Sequence, residues 1–95
     1  MTEAVVTDNG ARSRFELNLD GAIAFIDYHH RHSAVRVLTH AEVPAALRGG
    51  SVGARLAAGA LELMRSRGEQ VVPRCPYVAQ FIRRHPQYAD LLAQA

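Results

Sequence analysis

The hydrophobic period of the chain changes once, at Pro44, and that change restricts the fold more than any other feature. Ahead of it apolar residues recur at every second position, and behind it they recur at helical spacing. From Arg14 onward, Phe15, Leu17 and Leu19 alternate with Arg14, Glu16 and Asn18, the pattern of a strand with one buried face. Asp20-Gly21 supplies a hairpin turn. Residues 22–28 (AIAFIDY) read as a second strand, HHRHS as a polar turn, and residues 34–43 (AVRVLTHAEV) as a third strand with Val35, Val37, Thr39, Ala41 and Val43 on one side. The first half is therefore expected to be an antiparallel meander.

Beyond Pro44, Val52, Leu56, Ala60, Leu63 and Met64 fall on one face, with Arg55, Glu62, Arg65 and Glu69 mostly on the other. Gly68 closes this amphipathic helix of about four turns as a C-cap. Gly59 in its middle costs about 0.5–1 kcal/mol relative to alanine, which signals close packing against the sheet. QVVP (70–73) reads as a fourth strand, parallel to the third because the helix forms a crossover. Residues 76–85 and 87–93 read as one helix interrupted by Pro86, or as two short ones. The expected class is α+β: an antiparallel meander, a crossover helix, a short parallel strand and a C-terminal helix.

Ninety-five residues make one domain of residues 12–95, preceded by a polar stretch, 1–11, expected to be flexible. All eleven basic residues are arginine, so neither a phosphate-binding P-loop lysine nor a Schiff-base lysine exists. A net charge of +2, without basic runs interleaved with aromatics, does not indicate nucleic-acid binding. Cys75 is the only cysteine, so no internal disulfide forms. Residues 1–14 carry no apolar signal region and no apolar run approaches 18 residues, so a cytoplasmic protein with no membrane partner is expected. His29, His30 and His32 alternate in direction on an extended segment with no carboxylate or cysteine to complete a set, so no metal site is assigned. Arg83 and Arg84 could reach a ligand phosphate, but a solvated helix face is the default reading.

The chemistry is concentrated in PAALRGGSVGARL, residues 44–56. The first amides of a helix lack intrahelical partners and carry about half a positive charge, which proteins usually offset with Asp or Glu in the first turn. Here the first turn is Val52-Gly53-Ala54-Arg55, no carboxylate occurs in the helix before Glu62, and Arg48 and Arg55 flank the glycines. Gly49, Gly50 and Gly53 permit positive φ and close approach to the amides, so the stretch reads as a phosphate site. The plain alternative is a flexible turn with Ser51 as an ordinary N-cap. A Rossmann fingerprint fails because Arg48 stands where the first glycine should be.

The stretch THAEVPAALRGGSVGARLAAGAL resembles the acetyl-coenzyme A segment of the GNAT acetyltransferase superfamily, whose loop carries Arg or Gln, two residues, Gly, one residue, then Gly or Ala. His40-Ala41-Glu42-Val43-Pro44, Pro73-Arg74-Cys75-Pro76-Tyr77-Val78 and Phe81-Ile82-Arg83-Arg84-His85-Pro86 narrow the resemblance to small single-domain GNAT-like proteins of the NATD1 and YjdJ type, over residues 14–92. Ser51 departs from the pattern by replacing the central loop glycine. A positive φ there would cost serine about 1 kcal/mol or more.

The resemblance implies transfer of acetyl from acetyl-CoA, as co-substrate and without a metal, to a small-molecule or protein amine. It implies that Glu42 and Val43 line the pantetheine arm, that Arg48, Gly49, Gly50, Ser51, Val52, Gly53 and Ala54 hold the pyrophosphate, and that splaying of the last two strands opens the slot. His40 is the candidate base, its ordinary pKa suiting neutral pH, with Glu42 two residues on sharing its face. Cys75, at a strand-to-helix junction, is a candidate for acetyl relay, proton transfer or packing. Tyr77 is an alternative proton donor to the leaving thiolate. The rival reading is a non-catalytic CoA-binding regulatory or interaction module. A bare sheet edge makes a monomer or a weak homodimer the expected state.

Overall fold

In the computed structural model, which describes residues 5–93, the period-two segments pair as a meander and the helical segments cover one of its faces. The strands are β1 (Thr7–Asn9), β2 (Arg14–Leu19), β3 (Ala22–His32), β4 (Val35–Glu42) and β5 (Gln70–Pro73), and they lie in the sheet in chain order. Strands β1 to β4 are antiparallel, whereas β5 runs parallel to β4. Helix α1 (Val52–Ser66) crosses from β4 to β5, and α2 (Pro76–Arg84) follows β5. A 3-10 turn (Ala45–Leu47) precedes α1, and a 3-10 helix (Pro86–Leu91) follows α2. Pro86 separates these last two elements because it cannot continue the α-helical hydrogen-bond ladder.

The β2–β3 hairpin closes as the Asp-Gly pair predicts, with Asp20 and Gly21 both at positive φ (54° and 90°). Two expectations about the meander are corrected. The HHRHS segment is not a turn: β3 continues through His32, His29 pairing with Val37 and His30 with Arg36, and the chain reverses at Ser33 and Ala34. Polar, exposed side chains do not end a strand whose backbone still has a partner. The third-strand alternation also fails to keep one face. Asp27 pairs with His40 and Tyr28 with Leu38, so Thr39 is an extra residue in β4. That bulge swaps the faces: Leu38 before it and Ala41 after it turn to the helices, while Val35 and Val37 turn away.

Within the stretch 1–11, Thr7–Asn9 form the edge strand β1; residues 1–4 lie outside the described residues. Its anchor is a polar cluster that crosses four elements. The Asp8 carboxylate accepts hydrogen bonds from the Tyr28 hydroxyl, from Arg36 at 3.0 Å and from Arg67 at 2.6 Å, and Arg36 also bonds Glu69 at 2.7 Å. Arg36 is buried, stacked on Tyr28 and Phe15.

The core lies between the sheet and the two helices, with Phe15, Leu17, Ile26 and Leu38 below and Leu56, Leu61, Met64, Val78 and Ile82 above. Gly59 packs most closely against Val6, just ahead of the edge strand. A Cβ there would collide with the Val6 side chain, so the glycine lets the segment leading into β1 lie against α1. Arg65 ties α1 to the 3-10 helix through Asp90 (2.7 Å) and the Gln87 carbonyl (2.8 Å). None of the helices among the described residues is long and apolar enough to cross a membrane.

Candidate functional site

The parallel pair that the crossover creates is short. Its register runs from Val35↔Gln70 to Leu38↔Pro73 and stops, while β4 continues to Glu42. The Cys75 amide still donates to the Leu38 carbonyl at 2.9 Å, and Pro76 then opens α2, where its missing N–H costs nothing. The two strands therefore part beyond Leu38. The loop leading to α1 crosses the mouth of this fork.

Pro44 and the 3-10 turn carry the chain sideways off β4, and Arg48 Nε donates to the Val43 carbonyl at 2.9 Å, which ties the loop to the strand end. Gly49 adopts φ +89°, and neither Gly50 nor Gly53 needs positive φ. Ser51, the N-cap of α1, has φ −91° and ψ 9°, so the strain expected of a serine at this position does not arise. Its hydroxyl makes no capping hydrogen bond and the first turn holds no acid. The amides of Val52, Gly53 and Ala54 stand ahead of the first intrahelical bond, made by Arg55 to the Ser51 carbonyl. A cavity of about 180 Å³ lies against Gly53, walled also by Val43 and Leu47, by Arg48, Gly49 and Gly50, and by Tyr77.

Tyr77 comes from the first turn of α2, and a Cβ on Gly53 would stand 2.7 Å from its hydroxyl oxygen. Gly53 thus seats the tyrosine ring rather than clearing a path for an anion. Burial, and after it the neighbouring Cys75, push the Tyr77 phenol above its ordinary pKa. Cys75 is the N-cap residue of α2 but makes no capping bond, and its side chain is 4% exposed in the core. Of the predicted binding residues, Val52 turns its side chain into that core, and Ala54 borders a second cavity.

His40 and Glu42 lie on the opposite face of β4, set there by the Thr39 bulge. Both are more than half exposed, with Nε2 and Oε1 3.8 Å apart. The His40 ring centroid is 6.3 Å from that of Phe25, and Asp27 is its cross-strand neighbour. The structure therefore brings Tyr77 to the glycine loop and leaves His40 across the strand from both Tyr77 and Cys75. Among the described residues no group of three or more His, Cys, Asp or Glu is placed to hold a metal ion.

The second cavity, about 170 Å³, was not anticipated from sequence. Ala54, Tyr77, Gln80, Phe81, Arg84 and His85 line it. The available signal was the spacing of Tyr77, Gln80, Phe81 and Arg84, which falls along one stripe of a helix.

Comparison with known proteins bears on the family and the fold. A family model described as GCN5-related N-acetyl-transferase matches residues 14–91. No curated protein matches the sequence. Among solved structures, the NMR solution structure of a GCN5-like protein from Staphylococcus aureus superposes with a TM-score of 0.73 at 20% identity, covering 100% of this chain and 93% of that one.

Proposed function

Because the chain belongs to the GCN5-related N-acetyltransferase family, we propose that it transfers acetyl from acetyl-coenzyme A to an amine at the fork between β4 and β5. The observation that carries this reading is the cavity at the fork, walled by a glycine loop and by a helix start that no carboxylate neutralises. The residues present fit a diphosphate. Gly53, in the first turn of α1, borders the cavity together with Gly49 and Gly50, which place no Cβ there, and Ser51 sits in a relaxed conformation. Within the family, His40–Pro44 and Pro73–Val78 favour the small single-domain NATD1 and YjdJ type.

Bound acetyl-CoA supplies a thioester, at which a carbon–nitrogen bond forms as the carbon–sulfur bond breaks. The amides of residues 49–54 hold the diphosphate, while Arg48 fixes the loop against the end of β4. The backbone of Glu42 and Val43 borders the pantetheine arm and offers an N–H toward the carbonyl, where charge develops. His40 takes the proton from the amine, steadied by Glu42. Tyr77, whose phenol carries its proton at neutral pH, gives a proton to the leaving sulfur. Cys75 packs beneath the start of α2 and holds Tyr77 in position, because a relay of acetyl would first require it to leave the core. With His40 on the outer face of β4, the amine reaches the fork from the side opposite the cavity.

The second reading, a CoA-binding module without turnover, is favoured by one feature: His40 is exposed and Cys75 buried, on different faces of β4. Calorimetric titration with acetyl-CoA and CoA tests binding first. Ser51→Asp is the decisive variant, since an N-cap aspartate supports the helix yet repels a diphosphate. Saturable binding in the native chain, lost by tenfold or more in a Ser51→Asp variant of unchanged stability, supports the reading; binding indifferent to that charge removes the coenzyme from the helix start. An amine screen following CoA release, with His40→Ala and Tyr77→Phe, separates the two readings. Coenzyme binding with no release for any amine leaves the non-catalytic module.

A further inference from the structure

We propose that the outer face of α1 docks a second copy of this chain, with the two α1 helices antiparallel and Arg55 of each copy opposite Glu62 of the other. Along that face, between α1 and the segment leading into β1, lies a cavity of about 580 Å³ walled by the apolar side chains of Val5, Val6, Leu17, Ala58 and Leu63. Val5, at its edge, is 70% exposed, more than any other large hydrophobic residue among those described. A contiguous apolar groove open to solvent favours association. Docking there leaves the fork open, because the groove and the fork cavity have no described lining residue in common.

The charges along the groove identify the occupant. Arg55 and Glu62 both border it and both are exposed. Seven residues make about two helical turns, so the two side chains share one stripe of α1 about 10 Å apart along the axis. Between them on α1 the groove is bordered only by Ala58 and Gly59, neither larger than a methyl, which lets a second helix approach closely. A two-fold axis level with the Ala58–Gly59 peptide, the midpoint of the pair, sets the helices antiparallel and brings each arginine opposite the other copy's glutamate. Opposite charges equidistant from the axis make the face complementary to itself, whereas two like charges there would repel. Glu62 is 58% exposed, and its neighbour Arg65, 4.0 Å away, is held by Asp90 at 2.7 Å. A solvated helix face accounts for two charges but not for the apolar groove they flank. One helix and one short segment cover less than the roughly 800 Å² per partner of a standard interface, so the expected dissociation constant is about 10–100 µM.

The test is sedimentation velocity of the chain without ligand, at concentrations from micromolar to millimolar. The native chain is expected to pass from monomer to dimer across that range. Arg55→Glu and Glu62→Arg should each weaken self-association about tenfold or more, because each turns both charge pairs into like-charge contacts. An equimolar mixture of these two variants should recover the native association, since one copy then carries an acid at both positions and the other an arginine at both. Arg83→Glu, an equal change of charge on α2, should leave self-association unchanged, and its mixture with Glu62→Arg should recover nothing. Val5→Asp should weaken association through the groove alone. A native chain that stays monomeric at millimolar concentration overturns the proposal, as does association that survives both charge reversals or that mixing fails to recover. None of these outcomes depends on whether the fork binds coenzyme.

Discussion

At the scale of single residues, two glycines of α1 do different work. Gly53 faces the movable end of an exposed tyrosine, whereas Gly59 faces the branched carbon of Val6 on a segment already committed to the sheet. Alanine is the better helix former by about 0.5–1 kcal/mol, so propensity alone predicts that Gly59→Ala stabilises. The collision with Val6 reverses the sign, since crowding of this kind costs about 1–3 kcal/mol. Urea unfolding is expected to show Gly59→Ala less stable by about 1 kcal/mol or more. In the Val6→Ala background the same substitution should become neutral or stabilising, and additivity of the two changes would refute the contact. Ser51 shows the converse case. In sequence it stood out as a strained replacement for glycine, yet its φ is ordinary, because the positive φ of this loop falls at Gly49 instead.

At the scale of elements, the edge strand β1 is held by charge where its three residues offer little apolar area. Burial pushes the Asp8 carboxyl up, but hydrogen bonds from Tyr28, Arg67 and Arg36 outweigh it and leave the pKa lowered. The reciprocal effect on Tyr28 is large: burial first, and then the Asp8 hydrogen bond and charge, push the phenol up to about 12. The native state thus prefers the neutral phenol. Below about pH 10, where an unfolded tyrosine is also protonated, this contribution is complete; between about 10 and 12 the unfolded chain releases a proton that the native chain keeps, so stability falls. The loss is of the order of 2–3 kcal/mol across that window. Tyr28→Phe is expected to be less stable at pH 7 by about 1–2 kcal/mol, for want of a donor to Asp8. It should also lose less stability than the native chain between pH 10 and 11.5; parallel profiles would mean that Tyr28 titrates normally. This cluster was not legible in the sequence, because the partners of Arg36 are 28 and 33 positions away and no local pattern names them. The Thr39 bulge was illegible for a related reason. It leaves the apolar alternation of the sequence unbroken while exchanging the faces on which those residues stand.

At the scale of the whole molecule, the legible parts are those set by local chemistry: the Asp-Gly hairpin, the helical period of α1, the parallel return of β5 and the acid-free helix start. The Tyr77–Gly53 contact and the cavity beneath Arg84 arise where α2 meets α1, and only the assembled fold shows them. This division carries a thermodynamic consequence. The end of β4, the loop and the first turns of α1 and α2 surround the fork, but β5 has already left the sheet there, so the four segments lack the ladder that holds the other end together. A ligand touching all of them supplies the missing connections. At a hundredfold excess over its dissociation constant, such a ligand stabilises by about 2.7 kcal/mol, which for a domain of this size raises Tm by roughly 10–20 °C. Acetyl-CoA is expected to produce that rise in the native chain and little of it in Ser51→Asp. Amide hydrogen exchange locates the effect: slowing is expected at residues 40–54 and along α2, with β1 unchanged because Asp8 already ties it to Tyr28, Arg36 and Arg67. Slowing spread evenly over the sheet, or confined to β1, would place the ligand elsewhere than the fork.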